Sequence, residues 1–345
     1  MLEAGKAVEA FDAARDLAAA VELPFPAEVI RNVAICGMGG SAIAGDLVAG
    51  AFRERLRRPV AVLRDYELPG WIGDDTLVIL SSYSGNTEET LTATMQAYER
   101  NSPCVAVTSG GKLGSFYAKE GIPVVALPAG MQPRAALIWL LTPVAVLLER
   151  TEVLPPLGSE LEEARETLAA AVAAYGPEVP AEANPAKQLA SALHKKVTLL
   201  WGAELTAAVA LRWKCQINEN AKVPAYHAAL PELDHNEIVG FEGAGPFGPM
   251  SQVVMLRDPR NHRQVQRRFD LTRDLIQREV GGVLAVTAEG RGAMARMLDL
   301  VMLGDYVSLY LALLREVDPG PVEVIERLKE ALATTGYGRM ASPPE

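Results

Sequence analysis

Short apolar runs alternate with helix-like stretches along the first half of this 345-residue chain. The runs cover residues 33–36, 60–65, 76–83, 103–109 and 122–128, and a helical pattern follows most of them. Strands that are apolar on both faces are typical of a parallel sheet with helices packed on each side. The sequence therefore predicts an α/β fold with a doubly wound, mostly parallel sheet.

The same pattern restarts in the second half. Strand-like runs recur at 196–202, 251–258 and 282–289, with helical stretches at 205–222, 261–281, 295–317 and 322–333. Between the halves lie a very apolar helical segment, 133–150, and two proline-containing breaks, 151–159 and 176–185. We predict two tandem α/β domains, residues 1–152 and 153–345, with the linker at about 152–186.

Charge and cysteine content exclude several classes of protein. The formal net charge is −10, which argues against binding to nucleic acid or to anionic membranes. The three cysteines are widely spaced and offer neither a disulfide framework nor a metal-binding pair, so a reducing cytoplasm is expected. Residues 1–21 contain several acidic residues, unlike a signal peptide, and no uncharged apolar run is long enough to cross a bilayer.

A glycine cluster, residues 37–42, connects the first strand to a helix. Glycine allows the backbone to approach a ligand closely, and the first N–H groups of a helix attract anions. The cluster also fits the dinucleotide-binding pattern G-x-G-x-x-[G/A], and Asp65 ends the second strand where a ribose-binding carboxylate belongs. From this loop alone, a dinucleotide site, a phosphate site and a plain tight turn all remain open.

A hydroxyl-rich segment, residues 81–90, follows the third strand. Ser82, Ser84 and Thr87 surround Gly85 just before a helix, and several hydroxyls together with helix N–H groups suit a phosphate monoester. Thr87 or Ser84 can also act as an ordinary helix N-cap, and the two roles are compatible. Two anion-binding loops at the ends of adjacent parallel strands predict a ligand crevice at that edge of the sheet.

Candidate catalytic side chains lie outside these loops. Arg134 begins the apolar segment 133–150, where it either faces a pocket or is an ordinary surface residue. Glu219 lies at the end of a largely apolar helix and is a candidate general base, while His235 in the polar segment 231–237 can transfer protons near neutral pH. Both can instead be solvated loop residues.

The segment around His235 also contains Glu232, Asp234 and Glu237, which are possible metal ligands. No histidine pair at i, i+4 and no cysteine pair accompanies them, so no metal is predicted.

These residues together resemble a known family. Gly39-Gly40-Ser41 followed by Ser82-x-Ser84-Gly85-x-Thr87 looks like the phosphosugar-binding signature of sugar isomerase domains. With QPR at 132–134, NENAK at 218–222 and LDHNEIVGF at 233–241, nearly the whole chain resembles the bifunctional phosphoglucose/phosphomannose isomerases. The resemblance implies an enzyme that interconverts glucose 6-phosphate or mannose 6-phosphate with fructose 6-phosphate, without a cofactor or metal.

The resemblance also implies roles for individual residues. The 6-phosphate would be bound by Ser41, Ser82, Ser84 and Thr87, with backbone help from Gly40. Glu219 would move a proton between C1 and C2 through a cis-enediol, and Arg134 would stabilise the enediolate charge. His235 would assist ring opening and would reach the site from the partner subunit, which implies a homodimer.

One departure from the family pattern lies in the C-terminal helix. The family has a threonine and a lysine there that line the sugar end of the pocket. The best alignment places Ser308 and Arg315 at these two positions. Arginine keeps the charge of lysine but neither its shape nor its tunable pKa, so it lacks the property that proton transfer at this position would need, and the departure bears on the mannose activity more than on the glucose activity.

Two other function classes remain as alternatives. A phosphosugar-binding regulator on the same fold would need the phosphate loops but no base, so the presence of Glu219, His235 and Arg134 argues against it. An NAD-dependent oxidoreductase is suggested only by the glycine cluster and Asp65. Binding of NADH in preference to a sugar phosphate would identify it.

Overall fold

The computed structural model describes residues 2–334, which form two compact units. Glu9–Leu157 together with residues 321–334 make up the first, called here the N-terminal domain. Gly158–Gly320 together with residues 2–8 make up the second, the C-terminal domain. Each has its own parallel sheet and hydrophobic core, as the repeated strand–helix pattern predicts.

The elements agree closely with the apolar and helical runs of the sequence. In residues 2–334 the strands are β1 (Asn32–Cys36), β2 (Val60–Leu63), β3 (Thr76–Ser81), β4 (Cys104–Thr108), β5 (Val124–Ala126), β6 (Val197–Ala203), β7 (Ala225–Leu230), β8 (Ser251–Arg257) and β9 (Val283–Thr287). The α-helices are α1 (Leu2–Gly5), α2 (Ala7–Ala20), α3 (Gly39–Ala51), α4 (Glu88–Glu99), α5 (Gly111–Glu120), α6 (Leu137–Arg150), α7 (Gly158–Tyr175), α8 (Pro185–Leu193), α9 (Leu205–Ala221), α10 (Phe247–Met250), α11 (Arg263–Ile276), α12 (Ala293–Leu314) and α13 (Glu323–Thr334).

The sheet of the N-terminal domain has the strand order β2-β1-β3-β4-β5, and all its pairs are parallel. Every residue of β3 and β4 is buried, which explains their uninterrupted apolar character. The chain moves from β1 outward to β2 and then returns to the other side of β1 as β3. This reversal opens a crevice beyond the carboxyl ends of β1 and β3, where open α/β sheets bind their ligands.

The sheet of the C-terminal domain has the order β7-β6-β8-β9 and is also entirely parallel. The sequence pattern does not predict the strand β7 or the helix α8 of this domain. The strand β7 has the sequence AYHAAL, which is rich in alanine, a poor strand former, and only pairing with β6 makes it a strand. The helix α8 begins at Pro185, which resembles a break in the sequence but occupies the first turn behind the cap Asn184.

One described helix, α12, is long and apolar enough to cross a membrane by length and composition alone. It packs against α7, α8 and α9, and 72% of its most apolar window is buried inside the protein. Its apolar character is therefore accounted for by the core of the C-terminal domain.

Candidate functional site

The glycine cluster follows β1 and lies at the reversal point of the N-terminal sheet. A Cβ added at Gly37 would lie 2.7 Å from the Ser81 carbonyl oxygen, and one at Gly40 would lie 2.9 Å from the Pro133 carbonyl oxygen. Glycine is therefore required at both positions for steric reasons. The helix α3 begins here without a side-chain cap, at the carboxyl end of β1, and its Ser41 and Ala42 N–H groups donate to the Met38 carbonyl.

The hydroxyl segment follows β3, at the neighbouring strand end. The Ser82 and Thr87 hydroxyl oxygens are 3.0 Å apart and form a hydrogen bond. The backbone N–H of Tyr83 donates to Ser41 Oγ at 3.3 Å, which joins this segment to the start of α3. Ser82 and Ser41 are buried, whereas Ser84 is exposed and accepts a hydrogen bond from the Asn86 N–H.

Thr87 does occupy the N-cap position of α4, but its side chain makes no capping hydrogen bond. Neither it nor Ser84 caps the helix in the way the sequence suggests, because the Thr87 hydroxyl is bonded to Ser82 instead. Glu88 and Glu89 still place negative charge in the first turn of α4. The capping alternative is therefore wrong, and the Ser82–Thr87 pair stands at a helix start without a side-chain cap.

A third loop, which is not among the predicted site segments, braces the hydroxyl segment. The Leu113 N–H donates to the Gly85 carbonyl at 2.9 Å, and Ser109 Oγ donates to the Tyr83 carbonyl at 2.6 Å. Gly85 and Gly110 approach so closely that a Cβ on Gly85 would overlap the Gly110 backbone. The consecutive glycines 110 and 111, which follow β4 after Ser109, are the sequence signal for this support.

Arg134 lies beside the glycine cluster. A Cβ added at Gly40 would be 3.6 Å from Arg134 Cα, and the arginine side chain is only 7% exposed. The surface-residue alternative for Arg134 is therefore wrong. The predicted helix 133–150 is divided into a 3-10 turn, Pro133–Ala135, and α6, which begins at Leu137. The turn places the Arg134 backbone next to the glycine cluster.

The Cys36 thiol and the Asp65 carboxylate also lie near the carboxyl ends of the N-terminal strands. Cys36 ends β1, and burial raises the pKa of its thiol to about 12, so it is not a thiolate nucleophile at neutral pH. Asp65 lies exposed beyond the end of the edge strand β2, next to Arg64, which pairs with Asp46.

The other predicted residues belong to the C-terminal domain. Glu219 is half-buried in the last turn of α9, whose C-cap, Lys222, has a left-handed backbone. Lys222 Nζ donates to the Glu219 carbonyl at 2.6 Å, and the Ala225 N–H donates to Asn218 Oδ1 at 2.8 Å. The backbone that carries the candidate base is thus fixed from two sides.

His235 is exposed at the end of the 3-10 turn Glu232–His235, and a second such turn, Glu237–Gly243, follows. The neighbouring Asp234 carboxylate accepts from Arg268 Nη1 and from Thr272 Oγ1, both at 2.8 Å. The predicted polar loop is therefore ordered into two turns that are anchored on α11. In residues 2–334, no group of three or more His, Cys, Asp or Glu side chains is arranged to hold a metal ion.

Ser308 and Arg315 lie on and just beyond α12. Ser308 is fully buried, and its hydroxyl accepts from Asn220 Nδ2 at 2.9 Å and donates to the Asp305 carbonyl at 2.7 Å. Arg315 is half-buried, and its Nε donates to the Ala221 carbonyl, at the end of α9, at 2.8 Å. Both residues contact the helix end that carries Glu219.

Comparison with known proteins assigns both domains. Residues 29–145 match the SIS domain, and residues 182–332 match the bacterial phospho-glucose isomerase C-terminal SIS domain. The bifunctional phosphoglucose/phosphomannose isomerase of Caldicellulosiruptor bescii is 44% identical over 89% of this chain and 91% of its own, and that of Aquifex aeolicus is 36% identical over 88% and 90%.

A solved structure shares the fold at low identity. The C-terminal domain of glucosamine-fructose-6-phosphate aminotransferase from Francisella tularensis superposes with a TM-score of 0.70, at 13% identity, over 92% of this chain and 98% of its own.

Proposed function

Because the chain belongs to the bifunctional phosphoglucose/phosphomannose isomerase family, we propose that it interconverts glucose 6-phosphate and mannose 6-phosphate with fructose 6-phosphate. The observation that carries this proposal is the 44% identity to such an isomerase across both domains. The two anion-ready loops at the reversal point of the N-terminal sheet supply a physical basis for it.

The substrate's phosphate binds at the glycine and hydroxyl loops in this proposal. Ser41, Ser82, Ser84 and Thr87 bind the phosphate through their hydroxyl groups, and the starts of α3 and α4, which have no side-chain cap, supply positive helix ends. A phosphate monoester offers enough acceptor oxygens to use all of them. Held there, the unreactive end of the sugar orients the carbons that react.

The chemical step is a proton transfer between C1 and C2. A proton next to a carbonyl is weakly acidic, so its removal needs a base and a positive group near the oxygen that gains charge. Glu219 is the base, and the carboxylate returns the proton to the neighbouring carbon. Arg134, buried beside the glycine cluster, supplies the positive charge for the enediolate.

His235 acts on the ring oxygen of the cyclic sugar and comes from the partner subunit of a homodimer. Its exposure on an ordered turn is compatible with reaching a second chain. The reaction belongs to glycolysis and gluconeogenesis, and a cytoplasmic location, without nucleic-acid or membrane partners, accompanies it.

The test is a coupled assay of the purified protein, run separately on glucose, mannose and fructose 6-phosphates. Glu219→Gln is expected to bind fructose 6-phosphate normally and to lose about 10²–10⁴-fold in kcat, the usual contribution of a general base. A near wild-type rate in this variant would show that Glu219 is not the base. Sugar-phosphate binding without turnover in the wild type would favour a regulator, and tight NADH binding alone would favour an oxidoreductase.

The proposal that each active site combines residues of two subunits has its own test. Glu219→Gln and His235→Ala proteins, each inactive alone, are mixed under conditions that exchange subunits. If each site combines Glu219 of one chain with His235 of the other, mixed dimers regain one intact site and activity returns. No recovery, despite subunit exchange shown by native mass spectrometry, would place both residues in one chain.

A further inference from the structure

A line of polar residues runs through the buried contact between α9 and α12. Arg212, Gln216 and Asn220 recur every fourth residue and so lie along one face of α9. Arg212, only 2% exposed, donates through Nε and Nη2 to the two carboxylate oxygens of Asp305, at 3.1 and 2.7 Å. Gln216 Nε2 donates to the same carboxylate at 3.0 Å.

The line continues to the position next to the proposed base. Asn220 Nδ2 donates to Ser308 Oγ, and Ser308 Oγ donates to the Asp305 carbonyl one turn earlier in α12. These five residues, Arg212, Gln216, Asn220, Asp305 and Ser308, are called here the polar seam. The seam therefore ends at the residue that directly follows Glu219.

Contacts outside the seam also hold the two helices together. Trp213 is fully buried against Gly304, where an added Cβ would overlap the indole ring, and its Nε1 donates to the Leu300 carbonyl at 2.8 Å. Apolar replacement of a buried ion pair is often neutral or stabilising, since each buried charge carries a desolvation cost. Apolar contacts specify the axial register of one helix on another only weakly, because the side-chain ridges of one helix can also fit a neighbouring groove of the other.

We propose that the polar seam is a positioning device: it fixes the register of α9 on α12 and thereby places the Glu219 carboxylate for proton transfer. This inference rests on the proposed function, in which Glu219 is the base. The Arg315 contact with the Ala221 carbonyl holds the same helix end from beyond α12. Arg315 is accordingly a positioning residue that acts through the end of α9.

The chain offers a matched control for the seam. The Arg296–Asp258 ion pair also lies in the C-terminal domain, with side chains 8% and 4% exposed, and joins the start of α12 to the end of β8. Arg296 and Asp305 are nine positions apart on α12, or about 14 Å along the helix axis. The seam pair, Arg212 and Asp305, is 2% and 17% exposed, so the control pair is at least as far from solvent overall and is remote from the seam.

The experiment compares two double variants with the same substitutions. Arg212→Met with Asp305→Asn breaks the seam, and Arg296→Met with Asp258→Asn breaks the control pair. Because a misplacement of about 1 Å can cost about 10²-fold, the seam variant is expected to lose roughly tenfold to a hundredfold in kcat. Its KM for fructose 6-phosphate should stay within about threefold, because the phosphate loops are unchanged. The control variant should keep the wild-type kcat even if its Tm falls as far as that of the seam variant.

A second variant covers the case in which the seam protein fails to fold. Asn220→Leu removes the hydrogen bond to Ser308 while keeping the Arg212–Asp305 pair, and it is expected to lose about tenfold in kcat at unchanged KM. A folded seam variant or an Asn220→Leu protein with wild-type kcat overturns the proposal, as does an equal loss of kcat in the control. Wild-type and Glu219→Gln proteins are assayed in parallel, so an inactive wild type or an active Glu219→Gln protein marks failure of the proposed function instead.

Discussion

Replacing Gly40 by alanine should disturb catalysis through the backbone that carries Arg134. The new Cβ would lie 2.9 Å from the Pro133 carbonyl oxygen, whereas ordinary contacts begin at 3.4 Å, so the Pro133 backbone must move by about 0.5 Å. Since a displacement of 1 Å can cost about 10²-fold, half of that corresponds to a loss of roughly tenfold in kcat/KM. Overpacking of this kind also costs about 1–3 kcal/mol of stability.

The assay is steady-state isomerisation of fructose 6-phosphate together with thermal unfolding. For a domain of this size, 1 kcal/mol corresponds to about 2–4 °C, so Tm should fall by roughly 2–12 °C. Gly70→Ala is the matched control, because nothing lies within 4 Å of its added Cβ and its φ is not positive. It should leave kcat/KM unchanged and raise stability slightly. Wild-type kcat/KM in Gly40→Ala, or an equal loss in Gly70→Ala, would refute the steric argument.

Two further predictions concern the phosphate site and a helix start. Ser82→Ala should raise KM for fructose 6-phosphate roughly tenfold to a hundredfold, since a hydrogen bond to a charged group contributes about 1.5–3 kcal/mol, whereas exposed Ser191→Ala should not. Glu163 accepts from the Arg291 and Gly292 N–H groups at the start of α12, and these backbone hydrogen bonds lower the pKa of its carboxyl. The contribution of ionised Glu163 to the free energy of unfolding is therefore fully present above the ordinary glutamate pKa of 4.5. It is lost as pH falls through the lowered pKa of the folded state. Glu163→Gln should cost about 1 kcal/mol in denaturant unfolding at pH 7 and progressively less below pH 4.5, unlike the exposed control Glu162→Gln; a pH-independent difference would contradict this.

The position of the proposed phosphate-binding edge follows from local sequence. Both loops directly follow strands, and parallel strands place their carboxyl ends at one edge, so the sequence predicts that Ser41 and Ser82 lie near each other. The sequence could not show that Thr87 bonds to Ser82 instead of capping α4. A hydroxyl at a helix start has two competing partners, and only the folded loop decides between them.

The C-terminal domain shows the limit of local patterns more clearly. Helices α9 and α12 are evident from their periodicity, but β7 is a strand only because β6 pairs with it. The ion pair between Arg212 and Asp305 joins residues 93 positions apart, and no local pattern specifies such a partner.

By itself, the sequence determined the alternation of strands and helices, the two tandem domains and the glycine and hydroxyl composition of the loops. Hydrophobic periodicity, glycine and hydroxyl groups act over a few residues, so they are legible along the chain. Only the tertiary structure decided that Arg134 is buried beside Gly40, that Ser308 is hydrogen-bonded inside the core and that the polar seam ends next to Glu219. These features depend on contacts between residues far apart in sequence, which form only when whole helices and sheets pack.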